Sequence, residues 1–230
     1  MCVRAWLGRG LGVGLAMAAC SAGCKRTATK APEGTAPPQQ TAQAGSGMGD
    51  DKIAETVRAF EARRRYPTLT PAILASIPDD KIEQALLDHV ADVKVKRDTD
   101  REYEIVMRLS PGFRMMVSTW WLEAEVNNGG FNQFFWNSSG RFAREAADSF
   151  RLIGAKEHGA LMEEAIAVFA KEKATQERFK QKRTLQAFSD SYKESRLGEL
   201  DERFYKLSEN VPKLRIAYVR AHPADFRSGD

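Results

Sequence analysis

Glu123-Ala124-Glu125-Val126-Asn127-Asn128-Gly129-Gly130-Phe131-Asn132-Gln133-Phe134-Phe135-Trp136-Asn137-Ser138-Ser139-Gly140 is the stretch that decides the fold. Residues 127–136 hold four aromatic rings and four side-chain amides around a Gly-Gly pair. So many rings are costly to expose, and so many amides are too polar for a plain core. Before this stretch, Phe113, Met116, Val117, Trp120 and Ala124 recur at helical spacing, and Met115, Leu122 and Val126 line the opposite side. Ser118 and Thr119 lie between these rows, where their hydroxyls can bond back to the helix carbonyls. A helix apolar on two sides belongs in the middle of a domain. It is expected to run over about 111–127 and to stop at Asn128-Gly129-Gly130. Phe131–Asn137 then has length for about two further helical turns, with Phe131, Phe134 and Phe135 on one face.

Outward from this centre the pattern stays helical. Ile53, Val57 and Phe60 mark a helix over 51–64. Thr70-Pro71 and Ser110-Pro111 read as helix starts, a hydroxyl cap followed by proline. Ile82, Ala85, Leu86, His89 and Val90 form one stripe, and Tyr103, Val106, Met107 and Leu109 another. Phe142, Ala146, Phe150 and Ile153 mark the next helix, followed by Leu161, Ala165, Ile166 and Phe169. The charged run 171–183 reads as a helix extension or a mobile connection. Leu185–Tyr192 and Leu200–Leu207 look helical. Val211, Leu214, Ala217 and Tyr218 outline the last helix, with Pro212 in its first turn. No strand run and no repeat is evident. The expected class is all-α, an irregular multi-helix bundle around a buried central helix.

The N-terminus carries an address. Residues 1–24 combine Arg4 and Arg9 with a short apolar core from Leu11 to Ala19, too short to span a bilayer as a helix, which needs about 20 residues. Met17-Ala18-Ala19-Cys20 and Ser21-Ala22-Gly23-Cys24 both resemble a lipobox. Cys20, directly after the apolar core, is the first choice for lipidation, with Cys24 as the alternative; an ordinary cleaved signal is the plainer reading. Residues 25–50 are rich in Thr, Ala, Pro, Gly and Gln and read as a disordered tether. Neither Ser21 nor Lys25 is the aspartate that retains lipoproteins at an inner membrane. The expectation is therefore an exported domain, 51–230, lipid-anchored to the cell envelope and favouring the outer membrane.

Residues 1–50 hold five of the 35 basic and two of the 31 acidic side chains, leaving 30 against 29 and a net +1 for the rest. That balance points neither to a nucleic-acid surface nor to a strongly acidic one. No cysteine follows residue 24, so the folded part has no disulfide and no thiol nucleophile. His89, His158 and His222 lack metal-ligand spacing. Gly129, Gly130 and Gly140 are not followed by the lysine of a phosphate loop, and Ser138 has no histidine near it in sequence. No catalytic residue, metal or cofactor is assigned.

The run of 123–140 resembles the signature of the DNA-mimic protein 19-like family. Ala146-Ala147, Ile153-Gly154-Ala155, Leu200-Asp201-Glu202-Arg203-Phe204-Tyr205 and Ala221-His222-Pro223-Ala224-Asp225-Phe226 extend the resemblance to roughly 80–226. It implies an all-α fold and a homodimer. The founding member is acidic and presents carboxylates like phosphates to the DNA-binding surface of a transcription regulator. A near-neutral domain does not carry that activity over, because phosphate-reading partners are driven by charge.

The aromatic set Trp120, Trp121, Phe131, Phe134, Phe135 and Trp136 is expected in the core, or in part as a contact patch. Glu123 and Glu125 need a charge partner or several donors if buried; the free N–H groups of the 131–137 helix, Arg141 and Arg144 are the candidates, and an acid/base pair is the catalytic reading. Asn127, Asn128, Gln133 and Asn137 are expected to tie the Gly-Gly turn together, or else to line a small polar pocket. Asn132 and Gln133 are expected as the exposed polar positions. The leading expectation is a non-enzymatic domain that binds a protein partner. The alternative is a small-molecule binder or enzyme using a cleft near Glu123, Glu125, Asn127 and Gln133.

Overall fold

A computed structural model describes residues 48–227. The expected signal peptide (1–24), the lipidation candidates Cys20 and Cys24, and the tether up to residue 47 lie outside the described residues. The described chain divides between Arg63 and Arg64 into two compact units. The first contains α1, Met48–Glu61, which begins three residues inside the segment expected as tether. Within it the Arg63 guanidinium sits 3.1 Å above the Phe60 ring.

The second unit is built from α2 (Pro71–Ser76), α3 (Asp79–His89), a π-helical turn (Val90–Lys94), α4 (Glu102–Val106), α5 (Pro111–Trp136), a 3-10 turn (Ser138–Phe142), α6 (Ala143–Leu152), α7 (Lys156–Gln181), α8 (Leu185–Lys193), α9 (Leu197–Phe204), α10 (Val211–Ala221) and a last 3-10 turn (Pro223–Phe226). No strand occurs among the described residues, so the all-α expectation holds. None of the described helices is long and apolar enough to cross a membrane.

The centre is α5, as its two-sided pattern requires. Phe113, Met115, Met116, Val117, Leu122 and Val126 are all buried, with α6 and α9 packed along it. Ser118 and Thr119 are fully buried too. Thr119 donates to the Met115 carbonyl at 2.7 Å, and Ser118 to the Ser149 hydroxyl of α6 at 3.2 Å. Each satisfied hydroxyl escapes the cost of a buried orphan.

Two local expectations are corrected, and one left open is decided. Thr70 caps α2, accepting from the Ile73 N–H at 3.2 Å, but Ser110 makes no cap bond on α5. Its hydroxyl donates instead to the Asp225 carbonyl, fastening the C-terminal 3-10 turn to the start of the central helix. Of the two readings of 171–183, the helix extension is the observed one: α7 continues to Gln181 because Gln176 and Phe179 turn inward. In α10 the buried face is Val211, Arg215 and Val219, spaced by four, while Ala217 is exposed. An arginine thus stands where the apolar residues alone did not put the core.

Candidate functional site

At Gly129 and Gly130 the central helix breaks without ending. Gly129 has φ −160° and ψ 28°, and Gly130 has φ 73° and ψ −179°; helix resumes at Phe131. Only glycine takes the Gly130 conformation cheaply. A Cβ there would also land on the Asp201 carboxylate of α9. The second arm buries Phe131, Phe134 and Phe135. Phe135 lies parallel to Phe169 of α7 with centroids 4.2 Å apart, and Phe131 meets Phe204 of α9 edge-on at 5.8 Å. At the arm's end Gly140 lies so close that a Cβ would stand 2.9 Å from the Phe134 carbonyl. The core reading of these phenylalanines therefore holds. The tryptophans are only half-buried: Trp120 and Trp121 meet edge-on at 5.1 Å, and Trp136 meets Phe188 at 5.0 Å.

Breaking a helix orphans backbone groups, and distant side chains take them up. Tyr192 Oη of α8 donates to the Gly129 carbonyl at 2.7 Å. Tyr205 Oη, just after α9, donates to the Val126 carbonyl at 2.7 Å. The Phe131 N–H donates to Asp201 Oδ1 at 2.8 Å. Burial pushes the Asp201 carboxyl above the usual aspartate range, and the Phe131 N–H partly offsets this. The Tyr192 phenol is pushed up to about 12, first by burial, so it stays a donor at any physiological pH.

The two glutamates follow different courses. Glu125 is 7% exposed and is held by three neutral donors: Gln133 Nε2 at 2.6 Å, Asn137 Nδ2 at 2.9 Å and Ser139 Oγ at 3.1 Å. Glu123 pairs with Arg215, which is 2% exposed and also meets Glu83 at 2.5 Å. Residues two apart on a helix lie roughly 200° apart around its axis, so the two carboxylates face different elements and do not converge. The expected arginines are elsewhere: Arg141 pairs with Glu104, and Arg144 with Glu163.

The amides divide in the same way. Gln133 and Asn137 tie the kink from inside. Asn132, expected outside, is 2% exposed, and its amide donates to Ser191 Oγ at 2.9 Å. The same periodicity that buries Phe131 and Phe135 carries Asn132 inward against α8. Asn127 and Asn128, expected to tie the turn, are exposed instead, as is Ser138. Tyr205 is 57% exposed although its hydroxyl is bonded. The outer surface of the kink is thus two asparagines beside an anchored, exposed phenol.

Several of these partners escaped the reading of residues. Tyr192 and Lys180, whose ammonium donates to the Phe135 carbonyl at 2.9 Å, bear no local pattern, while Ser139 lies within the motif but was given no role. Asp201 and Tyr205 do lie inside the segment Leu200–Tyr205 that carries the resemblance. The histidines are dispersed: His89 bonds the Tyr66 carbonyl, His158 meets Glu209, and His222 stacks on Tyr218.

Fold and site together define an all-α domain whose central helix is kinked at a Gly-Gly pair and tied there by two later helices. The family model described as DMP19-like protein matches residues 107–222, about half the chain, including the kink and the residues that tie it. The chain belongs to the DMP19-like protein family. No curated protein and no solved structure matches it.

Proposed function

We propose that this is the protein-binding domain of an envelope-anchored lipoprotein, and that it acts by binding rather than by catalysis. The observation that carries the reading is the division of the motif. Its carboxylates and inner amides are committed to one another and to Arg215, Ser139 and Ser191, while Asn127, Asn128 and Tyr205 face outward over the kink. Tyrosine and asparagine suit a recognition surface: large area, few rotors and adaptable hydrogen bonds. The competing cleft reading asks Glu123 and Glu125 to work together, and their separate partners argue against it. The near-neutral domain supports a partner other than one that reads phosphates.

The test is capture from envelope extract on the full chain, comparing the wild type with Asn127→Arg/Asn128→Arg. Both positions are exposed, so the variant should keep the wild-type unfolding midpoint. A protein held by the wild type and lost by the variant is the expected result. Equal retention by both, or no retained protein, overturns the binding surface. The anchor is tested separately by palmitate labelling in cells. Cys20→Ser should abolish the label; abolition by Cys24→Ser instead would move the site, and an unlabelled wild type would reject lipidation.

A further inference from the structure

We infer that the corner between α7 and α8 is a docking surface for an anionic lipid bilayer, which it meets through headgroup phosphates. The charge is concentrated there. Residues 171–196 carry eight Lys/Arg against four Asp/Glu, a net +4, whereas residues 51–230 as a whole carry +1. At the corner, 178–183 holds Arg178, Lys180, Lys182 and Arg183 with no acid. Lys180 is half-buried and fastens the corner to the second arm of α5 through the Phe135 carbonyl. Arg178, Lys182 and Arg183 are exposed.

The acids nearby are mostly engaged. Asp190 takes Lys193 at 2.8 Å and Gln186 at 3.0 Å. Glu194 meets Arg178 at 3.3 Å. Glu172 accepts from Ser195 Oγ at 2.6 Å and from the Arg196 N–H at 2.9 Å. Glu177 is exposed on α7.

The apolar side chain at the tip favours a bilayer over a solvated polyanion. Leu185, the first residue of α8, is 65% exposed and follows Lys182 and Arg183 with only the cap residue Thr184 between. A leucine beside two cations combines an acyl-boundary contact with phosphate attraction, the pairing that holds peripheral proteins on membranes. This inference stands apart from the proposed lipidation, because the test uses an unacylated chain.

The full chain carrying Cys20→Ser/Cys24→Ser is mixed with vesicles of phosphatidylcholine alone and of phosphatidylcholine with phosphatidylglycerol. Binding should favour the mixed vesicles and weaken with salt. Lys182→Glu/Arg183→Glu in the same chain should lower partitioning by about tenfold or more, and Leu185→Ser by a smaller factor. Any contribution of residues 1–24 is common to all three chains. A second readout places a polarity-sensitive dye at Gln186→Cys, with Cys2→Ser removing the remaining thiol; the dye should shift to the blue only on mixed vesicles. Unchanged partitioning of the variants, or an unshifted dye, overturns the inference. So does patch-dependent capture of duplex DNA or an acidic polypeptide by a chain that ignores the vesicles.

Discussion

Gly130 concentrates the demands of the site in one residue. Its positive φ and the carboxylate of Asp201 behind its Cα both exclude a side chain. Gly130→Ala should therefore cost about 2 kcal/mol or more, read as a lowered urea midpoint with an unchanged slope. Arg215 is the other residue on which much depends. Arg215→Ala strands Glu83 and Glu123 beside a buried void, and losing one partner of a buried charge cluster costs about 3 kcal/mol or more. Arg215→Lys should recover little of this, since one ammonium cannot reproduce the planar fork that spans two carboxylates. Gly130 was legible in the sequence as part of a helix break. Arg215 was legible only in hindsight: Val211 and Val219 lie four residues to either side of it, but the charge argued for solvent. The partner that makes its burial tolerable, Glu123, is far away in the chain.

Among the elements, the kink depends on ties from α8 and α9. Removing one hydroxyl by Tyr192→Phe or Tyr205→Phe should cost about 1 kcal/mol in unfolding free energy, with the larger effect at half-buried Tyr192. The end of α3 gives a pH-dependent signature. His89 stacks on Phe113 with centroids 5.7 Å apart and donates from Nδ1 to the Tyr66 carbonyl at 2.8 Å. Burial pulls its pKa below the usual histidine value, opposed by the Tyr66 bond and aided by Lys94. The folded state thus binds fewer protons at this group than the unfolded chain. The stability His89 contributes is full above the ordinary histidine value and is lost as pH falls through it toward the folded value. Between about pH 8 and about pH 5, the wild type should lose more stability than His89→Gln does, measured by urea unfolding across that range. Helix positions were the most legible level, because periodicity and the prolines are local signals. The π-helical turn after His89, the diversion of the Ser110 hydroxyl and the persistence of α7 to Gln181 were not, because each is decided by what packs against the element.

For the molecule as a whole, the sequence conveyed an all-α bundle around 111–127 and the family, and both stand. The side to which each amide turned was beyond it. Asn132 and Asn127 are alike in local composition, yet the first faces α8 and the second faces solvent. Asn132 lies on the second arm, beyond the kink, where Asp201 and Tyr192 bond the backbone from late in the chain. The inner side of this motif holds the fold, and its outer side is proposed to meet a protein. A photo-crosslinker at Asn128, with Asp148 of α6 as a likewise exposed control, tests this in intact cells. The expected result is a discrete protein adduct from position 128 and none from position 148. Adducts that do not distinguish the two positions, or none from 128, would contradict it.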